Sequence, residues 1–177
     1  MKLARTIRFD ASDLNVFPVA AEEGEWALSG SFLFAAMPSE QITGKWRQAF
    51  ANGFLGCASH GFSTLVSVAN IKPEQTDDLE QELTDWLVDA FGAPTRDAAH
   101  AAAIQEIKFM ADLCASHDAG TLLCIQREMT EDGIREQFRS LPKADSCAEQ
   151  KIWTMVEDDD ADDSRKHHAD QAFRTLR

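Results

Sequence analysis

Apolar and polar positions alternate along the first third of the chain, which is the period of half-buried β-strands. The alternation predicts strands at residues 1–9, 15–20 and 25–35. Arg5 interrupts the apolar side of the first strand, so we expect an edge strand or the end of a strand there. Pro18 cannot donate to a sheet ladder, which confines the second strand to an edge. The turn residues before Glu25 predict that the second and third strands form a hairpin.

Four later segments repeat their apolar positions every three to four residues, which is the period of an α-helix. The predicted helices span residues 43–52, 73–91, 95–116 and 130–140. Two apolar runs predict further buried strands at residues 62–69 and 121–129. An early hairpin followed by interleaved helices and strands predicts an α+β fold, with a mostly antiparallel sheet and helices packed on one face.

The composition changes after Pro142. A short apolar run at residues 151–156 predicts one more strand, and six of the seven residues at 157–163 are acidic. Closely spaced charges of the same sign cannot be buried in a core, so we interpret the segment as part of a polar tail. We therefore expect a single α+β domain at residues 1–141 and an acidic C-terminal extension at residues 142–177.

The charge of the chain excludes several classes of partner. Its 17 Lys and Arg stand against 30 Asp and Glu, a net charge of −13, whereas nucleic acids and anionic membranes attract basic surfaces. The longest apolar run, Phe32–Met37, is far shorter than a membrane-spanning helix, and no secretory leader pattern is visible. Four dispersed cysteines are typical of reduced thiols. We predict a cytoplasmic protein and leave open whether it forms a homodimer.

The tetrapeptide Cys-Ala-Ser-His occurs twice. Cys57 and His60 belong to the first copy, and Cys114 and His117 belong to the second. Two Cys-x-x-His pairs could complete a tetrahedral zinc site. Coincidence is the competing interpretation, because Cys114 lies on the apolar stripe of its helix and His117 is placed where a cation suits a helix C-terminus.

A ligand pocket near the first copy is a further hypothesis. No phosphate loop, dinucleotide fingerprint, nucleophile elbow or zinc-protease motif is present in the sequence. Trp46, Arg47, Cys57 and His60 cluster around the predicted helix 43–52 and the loop after it, so they could line a small-molecule or enzymatic site. The alternative is that Cys57 is a small core residue.

The predicted helix 73–91 carries seven acids and no base. Helix dipoles favour acids in the first turn, but Asp85 and Asp89 lie near the end. Such a face is either solvated or meets a basic partner. The leading hypothesis is an accessory protein that binds a partner with a basic surface. Its predicted contact residues are Asp85, Asp89, Asp158, Asp159 and Asp160.

Three stretches resemble a family of uncharacterised bacterial proteins, a domain of unknown function. They are LARTIRFDASDLNVF, EWALSGSFLFA and GKWRQAFANGFLG, and the likeness covers most of residues 1–141. The resemblance implies an accessory role in the assembly or metabolism of redox enzymes, since members of the family lie near genes for molybdenum-dependent formate dehydrogenase and its chaperones. It implies no activity and no catalytic residues.

Overall fold

An antiparallel sheet of seven strands organises the computed structural model, which describes residues 1–35 and 37–141. The strands are β1 (Lys2–Ile7), β2 (Trp26–Leu28), β3 (Phe54–Gly56), β4 (Phe62–Ser63), β5 (Leu65–Asn70), β6 (Leu122–Thr130) and β7 (Gly133–Leu141). The helices are α1 (Ser12–Val16), α2 (Phe32–Ala35), α3 (Gly44–Asn52), α4 (Pro73–Phe91) and α5 (Arg96–Ala115), with a short 3-10 helix at Ser39–Gln41. The predicted α+β class is confirmed.

The sheet is curled into a half-barrel. Its order is β4-β3-β2-β1-β5-β6-β7, so four strands separate β3 from β7. Nevertheless Phe54 of β3 and Phe138 of β7 lie with ring centroids 6.3 Å apart. Strong twist brings the two ends of the sheet towards each other, and the side chains between them fill the concave side.

Helices α4 and α5 pack against each other, and α5 packs on β1. The larger core lies between these helices and the sheet, and it includes fully buried Leu3, Met110 and Leu123. A second, aromatic core is formed by side chains from β3, β4, α2, α3 and the segment after α1. Its buried members are Phe17, Phe34, Ala49, Phe50, Leu55 and Phe62.

The first strand is central, and the prediction of an edge was wrong. β1 pairs with β2 on one side and with β5 on the other. Arg5 is tolerated there because its guanidinium lies 3.9 Å above the Trp26 ring and donates to the carbonyl of Gly24 at 2.8 Å. A cation over an aromatic face keeps its charge at the sheet surface without entering the core.

The predicted strand at 15–20 and its hairpin were also wrong. Residues 15 and 16 belong to the end of α1, Pro18 follows the helix, and Ala20 forms only an isolated bridge with Phe62. Of the strand predicted at 25–35, only β2 is formed, because Gly30 has φ +80° and turns the chain into α2. The alternating aromatic side chains match the pattern of a strand, but two of them, Phe32 and Phe34, lie in the short helix α2.

Later elements agree better with the sequence. Helices α3, α4 and α5 are confirmed, and Thr95 caps α5 by accepting the Ala98 N–H at 3.1 Å. The predicted strand at 62–69 divides into β4 and β5, while β6 is confirmed. The helix predicted at 130–140 was wrong, since β7 occupies it and pairs with all of β6. Ile134 and Phe138 share a face at a spacing of four in a strand as well as in a helix. The strand predicted at 151–156 lies outside the described residues.

Candidate functional site

The loop between β3 and β4 and the exposed side of α4 enclose a groove of about 430 Å³. Cys57, Ala58 and His60 line it from the loop. Glu82, Asp85, Trp86 and Asp89 line it from α4. We call this feature the His60 groove. It is where the structure brings together the first Cys-Ala-Ser-His copy and the acidic helix.

The carboxylate of Glu25 holds the loop in shape. Oε2 accepts the backbone N–H groups of Ala58 at 2.6 Å and Ser59 at 2.8 Å. Oε1 accepts the Ser59 hydroxyl and the N–H of Glu22, the latter at 2.7 Å. A carboxylate that accepts several N–H groups forms charge-assisted hydrogen bonds, which are the stronger kind. Glu25 therefore fixes the turn that presents His60.

The backbone at His60 is left-handed, with φ +54°, and His60 is the one non-glycine residue of the described chain with positive φ. A side chain on Gly61 could not be accommodated, because a Cβ there would lie 2.5 Å from the backbone of Ala20. The close approach at Gly61 lets the chain cross towards β4. Left-handed residues outside glycine cluster at functional sites.

The imidazole of His60 is stacked on the indole of Trp86. Their ring centroids are 4.1 Å apart and the planes differ by 6°. Phe32 and Phe91 meet the same indole edge-on, at 6.1 Å and 5.0 Å. These contacts fix the position of Trp86 from three sides, so the aromatic pair is a preorganised surface.

Titration states at the groove do not favour a nucleophilic thiol. Burial raises the pKa of the Cys57 thiol well above its ordinary value, and the carboxylates of Glu25 and Glu82 raise it further. Burial lowers the pKa of His60, although the same two carboxylates act in the opposite direction. At neutral pH the groove therefore presents a protonated thiol and a neutral imidazole, and a thiolate is the form that attacks.

The acids of α4 give the groove its charge. Glu82, Asp85 and Asp89 are spaced three and four residues apart, so they share one exposed face of the helix. Asp85 forms an ion pair with Arg96 at 2.5 Å. Glu82 and Asp89 form no ion pair within the described part of the chain. The predicted contact residues Asp158, Asp159 and Asp160 lie outside that part.

The ligand pocket predicted from Trp46, Arg47, Cys57 and His60 is divided. Cys57 and His60 line the His60 groove, but the other two do not. Arg47 lines a different cavity, and Trp46 meets Phe62 edge-on at 6.0 Å. Helix α3 turns these two side chains towards the aromatic core and β6, which proximity in sequence could not show.

The zinc site predicted from Cys57, His60, Cys114 and His117 is not formed. Residues 1–35 and 37–141 contain no group of three or more His, Cys, Asp or Glu side chains able to hold a metal ion. Cys114 is fully buried in the larger core, where burial raises its pKa to about 11. The carbonyl of His117 accepts Lys2 Nζ at 2.6 Å. The second Cys-Ala-Ser-His copy therefore has a structural role at the C-terminal end of α5.

Two residues that shape the His60 groove, Trp86 in its lining and Glu25 behind its loop, were not predicted from the sequence. The sequence indicates only that Trp86 belongs to the predicted helix 73–91 and that Glu25 begins the predicted strand 25–35. Their roles depend on distant partners, since Glu25 bonds residues 33 and 34 positions away. One local signal was available for Trp86. It lies four residues after Glu82 on a predicted helix, and this spacing places the two side chains on one face.

The family model described as a family of unknown function (DUF6505) matches residues 1–158. The chain belongs to this family. The match confirms that residues 1–141 resemble a family of unknown function, and it extends beyond them to residue 158. The family description assigns no activity, partner or cofactor.

No curated protein and no solved structure matches the chain. Within residues 1–35 and 37–141, none of the helices has both the length and the apolar character required to cross a bilayer.

Proposed function

We propose that this protein is an accessory protein that binds a basic segment of a partner protein in the His60 groove. The observation that carries the proposal is the juxtaposition of the stacked His60–Trp86 pair with the exposed carboxylates of Glu82 and Asp89. An aromatic surface beside carboxylates is the chemistry that recognises a cationic side chain.

Arginine fits this arrangement best among the cationic side chains. A guanidinium stacks on aromatic rings and pairs with carboxylates through parallel hydrogen bonds, whereas an ammonium is a compact and strongly hydrated charge. Asp85 already binds a guanidinium of this kind, since Arg96 reaches it from the start of α5. Glu82 and Asp89 flank that pair on the same face and supply the negative charge for a second cation.

A binding function is favoured over an enzyme built on the same loop. The Cys57 thiol is buried and its pKa is raised, so it is not poised as a nucleophile. The four residues of the alternative ligand pocket are not brought together: Cys57 and His60 line the His60 groove, Arg47 lines another cavity, and Trp46 lines neither. The acids on the groove, in contrast, are exposed and rigidly placed on a helix of 19 residues.

The first test uses a labelled decapeptide that contains four arginines, and a matched peptide with neutral citrulline in their place. Fluorescence anisotropy at low salt is expected to show binding of the arginine peptide alone. The double variant Glu82→Lys and Asp89→Lys is expected to weaken that binding at least tenfold.

The double variant Glu74→Lys and Asp77→Lys is the control, because it changes the net charge equally at exposed positions of the same helix outside the groove lining. Equal losses in both double variants would mean that overall charge, and not the groove, binds the peptide. The proposal would then be abandoned.

Identification of the partner needs the full chain in cells. A photoreactive amino acid at position 89 should cross-link to a basic peptide of one protein, whereas the same group at the exposed position 131 should not. The family resemblance makes an enzyme of redox metabolism the expected partner. Deletion of residues 158–177 tests the second predicted contact, and weaker cross-linking is the expected result.

A further inference from the structure

A second cleft, of about 370 Å³, lies beside the β6–β7 hairpin, between it and helices α1 and α3. This volume falls within the range of small-molecule sites, about 300–1,000 Å³. It shares no lining residue with the His60 groove. Its chemistry differs as well.

The polar lining of this cleft consists mainly of amides. Gln48 and Asn52 project from α3, and Gln126 and Gln137 are paired neighbours on β6 and β7. None of these four side chains forms a hydrogen bond within the described residues. Each amide offers both donors and an acceptor, so the cleft can match a ligand with several polar atoms.

Arg139 is the one charged residue that lines the cleft. The other two arginines of the hairpin are committed: Arg127 pairs with Glu136 and Arg135 pairs with Glu128. Arg139 has no such partner in residues 1–35 and 37–141. A guanidinium beside amides, in a chain of net charge −13, is a local site for an anion.

The nearby carboxylate of Asp13 is already engaged. It accepts the Thr64 hydroxyl at 2.6 Å and the Thr64 N–H at 3.2 Å, and the Asp13 side chain does not line the cleft. Apolar surface from Val16, Phe17 and Ile125 completes the lining. A ligand therefore meets one cation, several amides and an apolar wall, which is the usual composition of a small-molecule pocket.

We propose that this cleft binds a small organic acid, with its carboxylate on Arg139 and its other polar atoms on the amides of Gln48, Asn52, Gln126 and Gln137. The two functions are independent, because the cleft would bind its ligand whether or not the His60 groove binds a peptide. An organic acid is preferred to an inorganic anion because only the organic acid has an apolar part that can contact the apolar lining of the cleft.

Nuclear magnetic resonance of the ¹⁵N-labelled full chain tests this proposal. The probes are acetate, lactate, glutarate and citrate, with glutaramide as the neutral counterpart of glutarate and inorganic phosphate as a second anion. At least one organic acid is expected to shift the side-chain amide resonances of the four lining residues, and glutaramide is not.

The variant Arg139→Gln should weaken that binding at least about tenfold, since a hydrogen bond to a charged group contributes this much. Arg135→Gln is the matched control, because Arg135 lies on the same strand but does not line the cleft. This variant should bind the organic acid as tightly as the native protein. Absence of shifts with all four acids, equal shifts in Arg139→Gln, or shifts with phosphate alone would each overturn the proposal.

Discussion

The guanidinium of Arg127 and the carboxylate of Glu136 meet at 2.7 Å on the concave side of the curled sheet, where the Arg127 side chain has no exposed surface. Arg127 also donates to the carbonyls of Phe50 at 3.0 Å and Gly53 at 2.8 Å, and to the carbonyl of Ser29. One side chain thus ties β6, β7, the segment after β2 and the end of α3. Glu136 extends the network by accepting the Ser29 hydroxyl at 2.8 Å.

The substitution Arg127→Met is expected to lower the free energy of unfolding by about 3–5 kcal/mol, because it removes the guanidinium that neutralises the largely buried Glu136 carboxylate and leaves three carbonyls without this donor. Urea denaturation followed by circular dichroism measures the loss. Arg135→Met removes the exposed pair with Glu128 on the same hairpin, and it should cost at most about 1 kcal/mol. Similar losses of unfolding free energy in the two variants would show that the buried network stabilises the fold no more than the exposed ion pair does.

Glu25→Ala is expected to loosen the loop that presents His60. The change removes the acceptor for four donors, so hydrogen exchange at the Ala58 and Ser59 amides should accelerate and stability should fall by about 1–3 kcal/mol. Glu23→Ala is the control at an exposed turn position, where no change is expected. Unchanged protection of Ala58 in Glu25→Ala would contradict the role given to this carboxylate.

The left-handed backbone at His60 predicts an unusual order of substitutions. Asparagine tolerates this conformation and valine does not, so His60→Val should unfold more easily than His60→Asn by about 1–2 kcal/mol. Both variants lose the stack on Trp86, so their difference isolates the backbone. Equal stability of the two would mean that the loop adjusts its conformation.

Burial lowers the pKa of His60 in the folded protein, so folding becomes less favourable as this residue takes up a proton. Its contribution is complete above the unfolded pKa of about 6.5 and is lost as the pH falls from there through the lower folded pKa. Stability of the native chain should therefore decline more steeply below about pH 6.5 than that of His60→Asn. A histidine titration by nuclear magnetic resonance checks the direction, and a midpoint at or above the ordinary value would contradict it.

The cysteines of the described residues should differ in reactivity. Cys57 and Cys114 are buried and burial raises both pKa values, whereas Cys124 is half-exposed beside the second cleft. In a Cys147→Ser background, a thiol reagent at pH 8 should modify Cys124 first and leave the other two until the chain unfolds. Early labelling of Cys57, located by mass spectrometry, would reopen the thiol chemistry that its burial argues against.

The sequence by itself determined the long helices and the general class of the fold. Helices α4 and α5 were predictable because their apolar stripes, Pro73, Thr95 and Gly92 act within a few residues of each other. The prediction of a mostly antiparallel sheet is confirmed, although the early hairpin on which it rested does not form. The position of each strand in that sheet did not follow from the sequence, because pairing joins residues far apart: β1 is central only because β5 arrives from residues 65–70.

Only the tertiary structure decided which residues form the candidate sites. Local spacing suggested a zinc site from two similar tetrapeptides, but a helix carried Cys114 into the core while a turn held by Glu25 kept His60 at the surface. Glu25 and Trp86 gain their roles from neighbours on other elements. Chemistry at a site depends on distances between side chains, and the curl of the sheet, not the order of the residues, sets those distances.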